Sequence, residues 1–504
     1  MAGKKVIVIG AGIGGLSAAI QLAHRGFSVT VLEKTAKPGG KIVQFKKNGF
    51  TFDAGASFIT LSRVYKDWFT SVGKNIKDYI TFRKMADTTT FHFHNGKKLT
   101  LSTNYNQVRA RIAKEFPGEE TGFDQFMKIS KDVYSLLYDG PTFARRNYHK
   151  LWGFDFALDP SLILQLPKLH FWESWKNIVD RCFTSPELRA VFSYQASFMG
   201  MKPSEALGTY CFFPWAEIDD GMYTVDGGVF GIVEGFVKLA KELGVAFVYE
   251  AEVTKLNYKD SLLKSVSTKK GLYDADIFVS NADGAWFYTN LIPKEVNKTF
   301  SEEKIKQMKH TNAYFTINLG LKKPIKDFSH HTFFVAEHWN EYFEKMFEPG
   351  SVPKLNFANT CYYFMQKSLQ HPEFAPKGKA VGFILVPVCG YDPDMDWKKY
   401  EDTFKNFIYD MMEQRDSIPI RSLIEEEIVY SPARWGSEFN LWENVILSFS
   451  LNFTQANGFR MPNKSREFEN LYFAGSATIP GPGVPTCITS GELVSLRIEE
   501  DFLK

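Results

Sequence analysis

The run Gly10-Ala11-Gly12-Ile13-Gly14-Gly15 constrains this chain more than any other stretch of its 504 residues. It follows the continuous β-branched segment Val6-Ile7-Val8-Ile9, which reads as a strand buried on both faces of a parallel sheet. A helical pattern comes next, with Leu16, Ala19, Ile20 and Ala23 on one face, and it ends near Gly26. A second strand, Ser28 to Leu32, stops at Glu33. Strand, glycine turn, helix, strand and acid, in that order, make the unit that binds a dinucleotide. Gly10 permits the tight turn, Gly12 lets the backbone approach a pyrophosphate, and Gly15 allows close helix–strand packing. The helix N-terminus offers unpaired N–H groups and a partial positive charge to the phosphates. Glu33 is placed to accept hydrogen bonds from ribose hydroxyls, and its charge would repel a 2′-phosphate, which disfavours NADP.

The rest of the chain is too long for one hydrophobic core, so two or three structural units are expected. Sixty basic against 57 acidic side chains leave a formal charge of +3, which gives no reason to propose nucleic acid as a partner. Phenylalanine is in surplus, with 46 residues. It fills a large core or lines a long apolar cavity. Cys182, Cys211, Cys361, Cys389 and Cys487 are scattered, with no CxxC pair, which argues against a disulfide framework and a zinc site and for a reducing, cytoplasmic setting. No signal peptide and no membrane-spanning run is recognised, which leaves room for peripheral membrane contact. His330, His331 and His371 show no metal-ligand spacing and read as lone surface histidines.

Pro38-Gly39-Gly40-Lys41 is a rigid turn, two permissive residues and a cation able to meet phosphate or ribose oxygens. With the glycine turn before it, this extension resembles the amine oxidase and carotenoid desaturase superfamily of flavoproteins, in which a basic residue follows the paired glycines. The next motif, Asp53-Ala54-Gly55-Ala56-Ser57-Phe58, resembles that superfamily's flavin-contacting turn; Asp53 reads equally as a cap or turn acid. Residues 221–256 contain the pair Gly227-Gly228, a helix through Ile232, Phe236 and Leu239, and a strand after Gly244. They resemble a phytoene desaturase segment, which implies a backbone contact from Val253. Asp276 to Asp283 resembles the family's strand ending in "NAD", which places Asn281 near the cofactor. The plain alternative is a strand and cap, with Asn281 and Asp283 initiating a turn.

Near the end, Leu471 to Ala474 reads as a strand that Gly475 ends, and the run Pro480 to Pro485 reads as neither helix nor central strand. A helix through Gly491, Val494 and Leu496 follows, and its start would aim its positive end at a flavin's pyrimidine carbonyl. This block resembles the C-terminal signature of bacterial carotenoid desaturases. It has Ile479 and Pro485-Thr486 where phytoene desaturases commonly have His and "PG", and its "PT…SGE" ending looks nearer to desaturases acting at the 3,4 position of hydroxylated carotenoids.

The resemblance implies an α/β fold with α+β insertions: a Rossmann-type FAD-binding domain formed by residues 1–84, 221–294 and 426–504, and a discontinuous substrate domain formed by 85–220 and 295–425. It implies FAD as the cofactor. The binding set is Gly10, Gly12, Gly14, Gly15, Glu33, Lys34, Gly40, Lys41, Ser57, Phe58, Val253, Asn281, Leu441, Gly475, Ser476, Pro485, Thr486 and Ile488. The implied reaction is desaturation of a carotenoid, with hydride passing to flavin N5 and no catalytic base or metal identified. A carotenoid dissolves in membranes, so a cytoplasmic enzyme at a membrane surface is implied. The segment Leu162 to Trp175 reads as a buried helix pair broken at Pro167, or else as an interfacial docking element. Three alternatives stay open: a phytoene desaturase, a flavin amine oxidase or protoporphyrinogen oxidase, and a prenyl-lipid-binding Rab GDP-dissociation-inhibitor-like protein without enzymatic activity.

Overall fold

The computed structural model describes residues 3–139 and 166–503. Its first layer is a five-stranded parallel sheet in the order Leu471–Phe473, Ile277–Ser280, Lys5–Ile9, Ser28–Leu32, Ala246–Val248. The β-branched run pairs on both sides, Val8 with Val31 and with Val279, and all three are fully buried. Burying each such side chain contributes about 1.5–3 kcal/mol, which outweighs the weaker intrinsic stability of parallel pairing. The Ile13–His24 helix packs between the Phe230–Glu242 and Val484–Leu503 helices. Its contact with the last helix is closed by Gly491, where a Cβ would stand 2.5 Å from the Gly14 carbonyl.

A second layer is a seven-stranded sheet in the order Ile424–Tyr430, Ala313–Leu321, Ala380–Val388, Tyr362–Gln366, His331–Val335, Asp87–Phe93, Lys98–Ser102. Its central strands are buried along their whole length. One face is covered by the Trp397–Gln414 helix and the other by helices that include Glu120–Tyr138 and Trp175–Cys182. Two of its strands, Asp87–Phe93 and Lys98–Ser102, come from residues 87–102. They join the sheet through a parallel pairing of Phe91 with Phe333.

Two sequence readings need correction. The Val484–Leu503 helix begins inside the Pro480–Pro485 run. Proline is tolerated there because a first-turn N–H has no partner within the helix in any case. Around Pro167 the structure has a short 3₁₀ turn, Leu166–Leu169, followed by the exposed Trp172 and the fully buried Trp175. Residues 162–165 of the expected helix pair lie outside the described residues.

Candidate flavin site

Three chain segments that end strands of the parallel sheet close around one side chain, Asn281. Its backbone N–H donates to the Ile9 carbonyl at 2.8 Å and its Nδ2 to the Ala474 carbonyl at 2.9 Å. A Cβ on Gly12, Gly14 or Gly475 would lie 2.6, 2.8 or 2.5 Å from the Asn281 amide. On Gly15 it would lie 2.2 Å from the Gly10 carbonyl. Gly15 therefore serves the close packing that the sequence suggested, and Gly10, at φ +98°, makes the tight turn. The space a side chain on Gly12 would need is taken by Asn281. Asn281 is thus the hub on which the glycine turn and the Gly475-Ser476 loop are both seated.

The Ile13–His24 helix has Gly12 at its N-cap and no side chain capping it, so its first-turn amides remain for a ligand. The Glu33 carboxylate is buried beside the turn: Oε2 accepts from the Ala11 N–H at 2.7 Å, and Oε1 from the Thr35 N–H at 2.8 Å. Oε1 also accepts from the Thr35 hydroxyl at 2.9 Å, so it is Oε2 that keeps a lone pair for a further donor. Beyond Glu33 the chain brings together three more predicted residues. The Ala251 N–H donates to the Glu33 carbonyl at 2.8 Å, two residues before the buried Val253. The Lys34 ammonium bonds the Asn440 side chain, next to buried Leu441, and Asn440 in turn donates to Glu252 at 2.8 Å. Lys34 is committed there, away from the glycine turn.

The opposite end of the site is formed by Lys41, Ser57, Phe58 and the loop after Gly475. Gly40 has φ +56° and backs directly onto Gly12, where its Cβ would meet the Gly12 Cα at 3.2 Å. Half-buried Lys41 directs its ammonium inward, to the Ile446 carbonyl at 2.6 Å. Desolvation holds its pKa below the ordinary amine value, with Asp283 partly offsetting the effect. Asp283 itself caps the Gly284–Asn290 helix, accepting from the Trp286 N–H at 3.0 Å, as the plain sequence reading had it. Pro485 and Thr486 form the partly exposed first turn of the last helix, and the buried Ile488 carbonyl accepts from Ser17 at 2.6 Å.

Asp53 proves to be a cap. Its Oδ2 accepts from the Val229 N–H at 2.7 Å, at the start of the Phe230–Glu242 helix. Gly228, at φ +75°, is needed because a Cβ there would lie 2.5 Å from that oxygen. Burial raises the Asp53 pKa, an effect opposed first by Lys367. His330, His331 and His371 are all buried, which overturns the surface assignment. They lie inside because their neighbours complete them: His371 pairs with Thr224 Oγ1 at 2.5 Å, and His331 pairs with Tyr363 Oη at 2.5 Å while stacking on Phe58 at 4.6 Å between ring centroids. Desolvation pushes His331 well below the ordinary histidine range, which keeps it neutral. Sequence reasoning also missed Arg460, which carries no periodic signal, and Glu217, which sits in a π-helical turn, Ala216–Asp220.

The comparisons agree with this geometry. A family model described as flavin containing amine oxidoreductase matches residues 13–498. The chain belongs to that family. It is 29% identical to the zeta-carotene-forming phytoene desaturase of Myxococcus xanthus, over 98% of this chain and 94% of that one. It is 28% identical to a 4,4'-diapophytoene desaturase of a Methylomonas species, over 99% of this chain and 95% of that one. Among solved structures, an oxidoreductase from Methanosarcina mazei is similar in fold, with a TM-score of 0.61 at 15% identity, covering 98% of this chain and 100% of that one. The likeness to carotenoid desaturases therefore spans the whole chain and is not confined to its motifs.

FAD is the cofactor of this flavin oxidoreductase, and the residues fit it: an uncapped helix start for the pyrophosphate, a buried carboxylate for ribose hydroxyls, and an inward ammonium for an anionic group. When bound, FAD supplies the hydride acceptor. The Asn281 hub would hold the loops that meet it, and the aromatic layer around Phe58, which contacts Phe198, His331 and Tyr363 at 4.6–5.4 Å between ring centroids, would exclude water.

Proposed function

We propose that this flavin oxidoreductase desaturates a long conjugated polyene, taking hydride from an allylic C–H while a neighbouring proton is lost, so that one new C=C extends the conjugation. The finer reading is 3,4-desaturation of a 1′-hydroxylated carotenoid, for which the Pro485-Thr486 and "SGE" ending is the support. The observation that carries the general reading is the wall beside the Ser57-Phe58 turn. Phe58, Tyr194, Phe198, Phe333 and Tyr363 meet there at 5.0–6.4 Å between ring centroids, with neutral His331 stacked among them. Tyr194, Phe333 and Tyr363 are buried behind the half-buried Phe58 and Phe198, whose apolar rings suit a flat apolar chain, whereas a cationic amine substrate calls for a compensating anion.

Substrates of this kind partition into bilayers. Among the described residues no helix is long and apolar enough to cross a membrane. Collection from a membrane surface is therefore part of the proposal, with Trp172, 56% exposed, as a docking side chain. In the test, FAD-loaded protein is given phytoene, lycopene or a 1′-hydroxylated γ-carotene in liposomes, and pigments are separated and weighed. A red-shifted product two hydrogens lighter from the hydroxylated substrate alone supports the finer reading. Conversion of phytoene replaces that reading with an early-pathway desaturase. No change in any carotenoid, with flavin bound and reducible, refutes the polyene reading.

A further inference from the structure

Arg460 is buried, and all of its bonding is to backbone carbonyls. Nε donates to Thr478 at 2.9 Å, Nη1 to Phe449 at 3.2 Å and Ser450 at 3.4 Å, and Nη2 to Phe449 at 3.2 Å and Ser476 at 2.5 Å. A guanidinium in such a place ordinarily has a carboxylate beside it. Among the described residues none makes an ion pair with Arg460; the groups that favour its charge are Tyr210 and Cys487, and desolvation pulls it down to about 10. Lys41 reaches the same segment from another side, its ammonium on the Ile446 carbonyl at 2.6 Å. Cys487, in the first turn of the last helix, lies in the field of both cations.

The position of this charge is fixed by packing. Ser476 follows Gly475, whose Cα would be 3.1 Å from a Cβ on Gly14 of the dinucleotide turn. Gly481 lies just beyond Thr478, and a Cβ there would be 3.7 Å from Arg460 Nε. The guanidinium thus stands directly behind the loop that joins the Leu471–Phe473 strand to the Val484–Leu503 helix and packs on the glycine turn. Two cations and a helix N-terminus converge there, and among the described residues Asp283 is the one carboxylate that offsets either of them. Burying charge this way is costly unless an anion arrives to meet it.

We propose that Arg460 is a positioning residue which, together with Lys41, sets the flavin's redox balance, holding the 475–483 loop against the isoalloxazine and favouring the reduced, negatively charged ring. Hydride uptake by a bound flavin would add a pair of electrons to its ring, and cations held beside it would offset the excess negative charge. The inference rests on flavin being bound at the glycine turn and is independent of the polyene substrate.

The test uses FAD-loaded wild type, Arg460→Met, Arg460→Lys and Lys41→Met, with three readouts: midpoint potential, affinity of the flavin for sulfite, and FAD affinity. Arg460→Met is expected to weaken sulfite binding tenfold or more and to lower the two-electron potential by about 30 mV for each tenfold. Arg460→Lys, which keeps the charge, is expected to restore most of both. Should Arg460→Met fail to fold, Lys41→Met, which forfeits one hydrogen bond, is expected to shift the same two readouts in the same direction. If FAD affinity falls in these variants while potential and sulfite affinity stay at wild-type values, the cations serve phosphate binding or the scaffold, and the proposal is overturned.

Discussion

The two sheets specify their surroundings by opposite means. Around the parallel sheet, the close contacts are made by glycine backbone: Gly15 against the Gly10 carbonyl, Gly491 against the Gly14 carbonyl, and Gly12 and Gly475 against the Asn281 side-chain amide. Around the seven-stranded sheet they are ring on ring, as in Phe183 on Phe192 at 4.8 Å and Phe334 on Tyr362 at 4.5 Å between centroids. A backbone contact tolerates no added atom, whereas a packed aromatic layer accepts a volume-conserving exchange. The half built on the parallel sheet should therefore tolerate few substitutions at its glycines, and the half built on the seven-stranded sheet should accept exchanges of one ring for another.

The substitution expected to cost most is Gly15→Ala, whose Cβ would fall 2.2 Å from the Gly10 carbonyl. Overpacking of that order costs about 1–3 kcal/mol or more and should abolish FAD retention, read by thermal melting and flavin release. A Gly15→Ala protein that keeps FAD and its melting temperature would break the contrast between the halves.

Next comes Glu217, a buried carboxyl beside the seven-stranded sheet held by neutral donors, Gln195 Nε2 at 2.9 Å and Tyr194 Oη at 3.2 Å. Burial raises its pKa to about 7 from 4.5, which disfavours the charged form in the folded state. Between those two values the unfolded chain has released the proton and the folded chain keeps it, so this group's contribution to stability falls as pH rises. Glu217→Gln should therefore gain stability relative to wild type from pH 5 to pH 8, by roughly 3 kcal/mol at most, measured by urea unfolding. A pH-independent difference would show that Glu217 ionises normally.

Asn281→Ala sharpens the comparison from the cofactor side. It removes the bond to the Ala474 carbonyl and empties the hub, for about 1–3 kcal/mol, and FAD affinity should fall with it. Phe58→Leu, by contrast, should cost FAD affinity less than Asn281→Ala does and act chiefly on substrate KM. The smallest effect on stability is expected at Trp172→Ala, within about 0.5 kcal/mol, because the side chain is 56% exposed. Its readout is liposome flotation, and unchanged association would remove Trp172 from the docking surface.

The same contrast explains what the sequence reveals. Strand limits at Ser28–Leu32, the turn at Gly10 and the helix after Gly228 were legible because β-branched runs and glycines carry local rules. So was the convergence of the glycine turn with the Gly475 loop, through motif order. The strand pair at 87–102 was not, because its pairing partner, His331–Val335, lies more than two hundred residues away. The burial of His331 depends on Phe58 and Tyr363, and that of Arg460 on carbonyls at 449, 450, 476 and 478. Nothing at the positions of His331 or Arg460 announces those partners.

The central claim, a flavin that takes hydride from a polyene, is tested most directly by mixing FAD-loaded protein anaerobically with candidate carotenoids in liposomes and following the flavin band. The account predicts bleaching in step with one product two hydrogens lighter and absorbing further to the red. A flavin that stays oxidised with every polyene, yet bleaches with an amine or a porphyrinogen, would contradict it.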